Sequence, residues 1–206
     1  VRNTNRPQCG WGEMIGELFD STQLKISNQA MAGRSTRSFI REGSWNKVMS
    51  TIKKGDYVIM QFGHNEGSKP DTSKGGRRGV LKGSGGETVM LTSPDSTTET
   101  VHTYGWYLRK YIADVKAKGA TPVICSLVPR KIWIDGHIHR STDPYRGWAQ
   151  QVAGQQHVDF VDLNEIIARR YDSLGPGPRD PRFGAPHPHT ARPRLCRAHT
   201  PGSAYP

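Results

Sequence analysis

The chain has 206 residues, a formal net charge of +11 and 34% hydrophobic residues. That length fits one domain with a single sizeable core, and no run of eighteen apolar residues is present to span a membrane. The excess charge raises nucleic acid as a partner, but five arginines crowd residues 175–206 against Asp180 alone, and no basic run interleaves with aromatics to build a stacking platform, so nucleic-acid binding is discounted.

In chain order, Val1 opens a polar segment with no apolar core of a signal peptide, and the absence of a starting Met suggests a processed, trimmed or incomplete product. Residues 11–19 place Met14, Ile15, Leu18 and Phe19 on one helical face. Residues 24–27 read as a short strand. Residues 35–40 and 45–52 read as helices, and Gly55-Asp56 as a stop. Residues 57–62 form a continuous apolar strand of the kind found inside parallel sheets.

From 67 to 100 the sequence turns to Gly, Ser, Thr and Lys with little periodicity, which predicts a long irregular loop. An amphipathic helix is expected over 102–118, with Trp106, Leu108, Tyr111, Ile112 and Val115 for packing and Gly119 as its end. A buried strand follows over 121–127. Residues 145–153 read as helix, 158–163 as strand and 164–174 as helix. Strand and helix in alternation mean an α/β fold with a parallel sheet. Past Gly175 eight of the fourteen prolines occur and neither period survives, the composition of a disordered tail.

Cys9, Cys125 and Cys196 form no CxxC pair and no metal-ligand spacing. Cys125 lies in an apolar run and reads as a buried small hydrophobe. Cys9 and Cys196 could bridge only if the chain ends meet. No metal site is expected.

Open α/β sheets carry their reactive groups beyond the carboxyl ends of the strands, and two loops stand there. The first, Asn28 to Ser35, contains Gly33, whose N–H could donate to a developing oxyanion; the plain alternative is a glycine turn before a helix. The second is Phe62-Gly63-His64-Asn65-Glu66. Asn65 could aim its amide into the same space, and His64 reads as a loop histidine that holds the turn rather than as a general base. Gly33 and Asn65 are expected to face one shallow cleft.

Taken together, Val1-Arg2-Asn3, Gly10-Trp11-Gly12, Asn28-x-Ala30-x-x-Gly33-Arg34-Ser35-x-Arg37-Ser38-Phe39 and Phe62-Gly63-His64-Asn65 resemble consecutive blocks of the rhamnogalacturonan acetylesterase branch of the SGNH hydrolases. Tyr104 to Arg109, Pro129-Arg130-x-x-Trp133 and Phe160 to Asn164 continue the resemblance, which runs in order to Leu174. It implies a three-layer α/β/α sandwich with a central, flavodoxin-like parallel sheet whose first strand is missing here, over residues 1–174. The tail, residues 175–206, is then either disordered or read out of frame.

The resemblance also implies acyl transfer by a serine nucleophile, with an acetylated pectic polysaccharide as substrate and no cofactor. Gly33 and Asn65 match the family's oxyanion donors, and Arg34 and His64 fall among substrate-binding positions. A secreted or periplasmic location follows by the same resemblance. The family's Gly-Asp-Ser-Thr motif would precede Val1, and Asp20-Ser21-Thr22 comes after the first helix, so Ser21 reads as a loop residue. His189-Thr190 resembles the His-Thr of the Asp-x-x-His block, but Pro186 stands where the orienting aspartate belongs. The chain is therefore expected to be inactive as it stands, with a non-catalytic carbohydrate-binding relative as the alternative.

Overall fold

A computed structural model describes residues 10–73, 76–140 and 144–176. The chain divides into two compact units, one made of residues 32–173 and the other of residues 1–31 with 174–206. Cys9, Cys196, His189 and all of the tail beyond residue 176 lie outside the described residues.

In the smaller unit, helix α1 (Trp11–Met14) passes into a 3-10 turn (Ile15–Leu18), so the helical period read over 11–19 is present with a change of pitch at Ile15. Its apolar face is not buried, with Leu18 and Phe19 both exposed. The strand expected over 24–27 does not form. Alternating apolar residues make a strand only where a neighbour takes up the backbone N–H and C=O groups, and no ladder is built on this segment.

The larger unit carries the sheet. Strands β1 (Tyr57–Gln61), β4 (Thr121–Cys125) and β7 (Asp159–Val161) pair in the order β1-β4-β7, all parallel, with Tyr57 opposite Thr121 and Val123 opposite Asp159. The strands expected over 57–62, 121–127 and 158–163 are thus present, each slightly shorter. One correction concerns β1. It reads as a fully buried strand but lies at the edge of the sheet with Tyr57 68% exposed and Ile59 44% exposed, and of its side chains only Met60 is buried. Continuous apolar sequence records the absence of polar residues and does not fix a strand's place in the sheet.

Helix α4 (Tyr104–Ala117) packs on β4 and against helices α2 (Thr36–Arg41) and α5 (Tyr145–Gln155). Its Tyr104, Leu108, Tyr111, Ile112 and Val115 recur at helical spacing and are all buried. The helix begins two residues later than the sequence suggests because Thr103 caps it, its hydroxyl accepting from Trp106 N at 3.1 Å. Gly119, at φ +69°, closes it. Helix α5 lies against β4 and β7, and helices α3 (Ser44–Met49) and α6 (Leu163–Leu174) complete the set.

The loop expected between 67 and 100 is more ordered than its composition suggests. It contains a 3-10 turn (Gly76–Arg78) and an antiparallel hairpin of β2 (Thr88–Thr92) and β3 (Thr98–His102). The hairpin is anchored through Arg37 on α2, which is 1% exposed. Arg37 Nε donates to Glu99 Oε1 at 2.7 Å, its Nη2 to Glu99 Oε2 at 2.6 Å, and its Nη1 to the carbonyls of Gly76 and Gly79. A second short hairpin, β5 (Trp133–Ile134) with β6 (His137–Ile138), was not legible in the sequence.

Candidate active site

Beyond the carboxyl end of β1 the chain turns sharply at Gly63. Its φ of +127° disfavours any side chain, and a Cβ there would stand 3.3 Å from Leu127 Cβ and 3.5 Å from Tyr145 Cβ. The turn brings Glu66 into the core with no solvent exposure. Glu66 Oε1 accepts from Thr36 N at 2.9 Å, and Oε2 accepts from Gly63 N at 3.1 Å and Asn65 N at 2.8 Å. Burial raises the Glu66 carboxyl above its ordinary range, and these backbone donors pull it down without cancelling the shift. Thr36 opens α2, so the carboxylate also meets the positive end of that helix. One buried acid thus ties the loop after β1 to the loop before α2.

That tie sets Asn65 beside the Gly33 turn. Asn65 Nδ2 donates to the Arg34 carbonyl at 3.1 Å, while Oδ1 accepts from Arg78 Nη1 at 3.4 Å. The two neighbours dictate the amide's orientation, since a carbonyl needs the NH2 group and a guanidinium needs the oxygen. One of the two Nδ2 hydrogens remains uncommitted among the described residues. Gly33 has φ +76° and is exposed, and no acceptor takes its N–H among the described residues. Asn65 therefore keeps one N–H donor beside the Gly33–Arg34 backbone, the kind of group needed to bind a developing oxyanion.

The other predicted residues are placed as follows. Arg34 turns its guanidinium to Glu42, at 2.7 Å, and to the Ala32 carbonyl. His64 is half-buried in the same turn as Asn65. His189 is outside the described residues. Ser21 lies in a turn in which Asp20 Oδ1 accepts from Thr22 N at 2.9 Å. A second Asp-Ser-Thr run, residues 95–97, forms the tip of the β2–β3 hairpin, where Ser96 takes φ +64°. Neither serine joins a strand to a helix. Among the described residues no group of three or more His, Cys, Asp or Glu side chains could hold a metal ion, and no helix is long and apolar enough to cross a membrane. Sequence reading missed Glu66 and Arg78. Glu66 was visible only as the residue after Asn65, and nothing in the sequence set Arg78 apart.

Comparison with known proteins gives the frame for this geometry. Residues 1–191 match the GDSL-like Lipase/Acylhydrolase family. The chain belongs to that family. A rhamnogalacturonan acetylesterase of Emericella nidulans is 34% identical over 88% of this chain and 71% of its own length. In Bacillus subtilis, the rhamnogalacturonan acetylesterase RhgT is 30% identical over 82% of this chain, and the match takes in 62% of RhgT. The crystal structure of the B. subtilis protein YxiM superposes with a TM-score of 0.63 at 23% identity, covering 82% of this chain and 41% of YxiM. The fold is therefore the α/β sandwich of the SGNH hydrolases, and Asn65 lies just beyond the carboxyl end of β1, where open α/β sheets carry their reactive groups.

Proposed function

We propose that this chain forms the body of an esterase that removes acetyl groups from a pectic polysaccharide of the rhamnogalacturonan type, in a secreted or periplasmic setting. The reading is supported by Asn65, whose amide sits against the Arg34 carbonyl beside Gly33 and keeps one Nδ2 hydrogen uncommitted among the described residues, in a chain of the GDSL-like Lipase/Acylhydrolase family. The names of the relatives supply the substrate class.

In this reading a serine hydroxyl attacks the acetyl carbonyl, and negative charge moves onto the carbonyl oxygen. Gly33 and Asn65 hold that oxygen through the tetrahedral intermediate, which is where fixed donors stabilise most. Glu66 keeps the two loops in register, and His64 and Arg34 border the sugar. The second reading is a relative that binds the polysaccharide without cleaving it.

Acetate release from acetylated rhamnogalacturonan separates the two. The chain as it stands is expected to release acetate no faster than background. The same chain carrying the family's Gly-Asp-Ser-Thr strand in front of Val1 and an Asp-x-x-His block in place of the segment around His189 is expected to turn over. If the completed protein stays inert yet binds the polysaccharide, the binding reading stands and the esterase reading falls.

A further inference from the structure

Glu66 is a buried ionisable group that the ester chemistry itself does not use. Its carboxyl has no solvent exposure, and the partners of its side chain are backbone N–H groups: Thr36 on Oε1, Gly63 and Asn65 together on Oε2. These partners offer no acceptor to a carboxylic acid proton. A neutral carboxyl must turn one oxygen into a donor, and on either oxygen the proton then confronts an N–H. Burial presses the other way, since it disfavours the charge. The group is held between two states, each costly for a different reason.

The two oxygens are not equivalent. A proton on Oε2 would face two N–H groups and one on Oε1 only the Thr36 N–H, so the bond to Thr36 is the one that yields. Each side has its own anchor without that bond. The Glu66 carbonyl accepts from Val80 N at 3.4 Å. Ser35 caps α2 by accepting from Ser38 N at 3.1 Å, and the Tyr111 hydroxyl donates to the Thr36 carbonyl at 2.7 Å. Losing the Thr36 bond therefore unties the loop after β1 from the start of α2 and leaves both folded. The titratable groups facing Glu66 are Tyr104 and Tyr111 on α4, phenols that burial raises further, with Tyr145 of α5 edge-on against Tyr104. Arg34 and Arg37 are turned to Glu42 and Glu99, and Arg78 lies against Asn65 Oδ1. His64 is the other titratable side chain of the turn.

We propose that Glu66 is an acid-sensitive clasp on the candidate site: as a carboxylate it holds Thr36 and keeps Asn65 against the Gly33–Arg34 backbone, and on protonation it releases Thr36 and that alignment is lost while the sheet stays folded. The proposal rests on the esterase reading for what the alignment serves, but its test needs no turnover.

The test is NMR spectroscopy of the chain as it stands, following the carboxyl carbon of Glu66 and the Thr36, Gly63 and Asn65 amides against pH. The carboxyl carbon is expected to titrate above the ordinary glutamate range, because burial raises it, and the three amides should share its midpoint. Hydrogen-exchange protection of the Thr36 N–H should fall about tenfold through that midpoint, the order expected for one buried hydrogen bond, while Ile124 in β4 keeps its own. A raised acid takes up its proton in the folded chain before the unfolded chain does. Stability is therefore gained as pH falls through the folded value, and global unfolding is not expected in that window. Glu66→Gln, whose neutral amide imitates the protonated acid, should show the released Thr36 amide at neutral pH with no further change on acidification. Amides that ignore the carboxyl midpoint, undiminished Thr36 protection, loss of Ile124 protection together with Thr36, or a Thr36 titration that survives in Glu66→Gln and so belongs to His64 would overturn the clasp. If Glu66→Gln does not fold, the midpoints and the Thr36 protection of the unsubstituted chain decide. Hydrolysis of p-nitrophenyl acetate by the completed protein at neutral pH reports on the esterase reading alone, so each can fail without the other.

Discussion

Glu66 sits in the core as a carboxyl whose partners are all backbone N–H groups, one from each of Thr36, Gly63 and Asn65. This explains why the turn after β1 is so constrained: the chain must reverse at Gly63, present two N–H groups to its own carboxylate and still leave the Asn65 side chain outside. Gly63 alone tolerates the φ of +127°, and the space beside it is filled by Leu127 and Tyr145. Gly63→Ala is accordingly expected to lower unfolding stability by about 1–3 kcal/mol, measured by urea denaturation. A loss within experimental error would mean that the turn relaxes freely and that Glu66 does not fix it.

At the level of elements, the β2–β3 hairpin is anchored to α2 by a buried arginine, Arg37. Burial would raise the Glu99 carboxyl, but the hydrogen bonds and charge of Arg37, with a further contribution from Arg41, outweigh it and hold the group below its ordinary range. An acid lowered on folding stabilises the native state above its unfolded pKa, and that stabilisation is lost as pH falls through the folded value. Glu99→Gln should therefore cost about 2–3 kcal/mol near neutral pH, less than a fully enclosed pair because Glu99 keeps some exposure. The gap to wild type should close as pH drops below the ordinary glutamate range, followed by denaturant melts across pH. A gap that stays constant with pH would assign the loss to packing rather than charge.

This hairpin also marks where sequence reading stops. Helix α4 was legible because five apolar residues repeat at helical spacing over fourteen positions. The strands of the hairpin are five residues each, set among Gly, Ser and Thr, and Arg37 anchors them to α2 through Glu99. Residues 24–27 show the converse: the apolar alternation is there and the pairing partner is not. Local pattern reports what a segment could bury, whereas pairing belongs to the tertiary structure.

For the whole molecule, the loop after the edge strand β1 is held at the start of α2 by Glu66, through Thr36 N. Gly33 and Asn65 draw attention in the sequence because each stands in a recognisable block, Asn65 at the carboxyl end of β1 and Gly33 after an expected strand that does not form. Glu66 does not, since its role rests on the hydrogen bond from Thr36 N, far away in sequence, and such contacts belong to the tertiary structure.

The central claim, that the residue 33 and 65 donors form the oxyanion site of an esterase, is tested most directly by one substitution. In the chain completed with the Gly-Asp-Ser-Thr strand and the Asp-x-x-His block, kcat and KM for p-nitrophenyl acetate would be measured with and without Asn65→Ala. The account predicts a fall in kcat of about 10²–10³ with KM little changed, the signature of a donor used only in the transition state. A kcat within a few-fold of the unsubstituted protein, in a variant that melts at the same temperature, would contradict it.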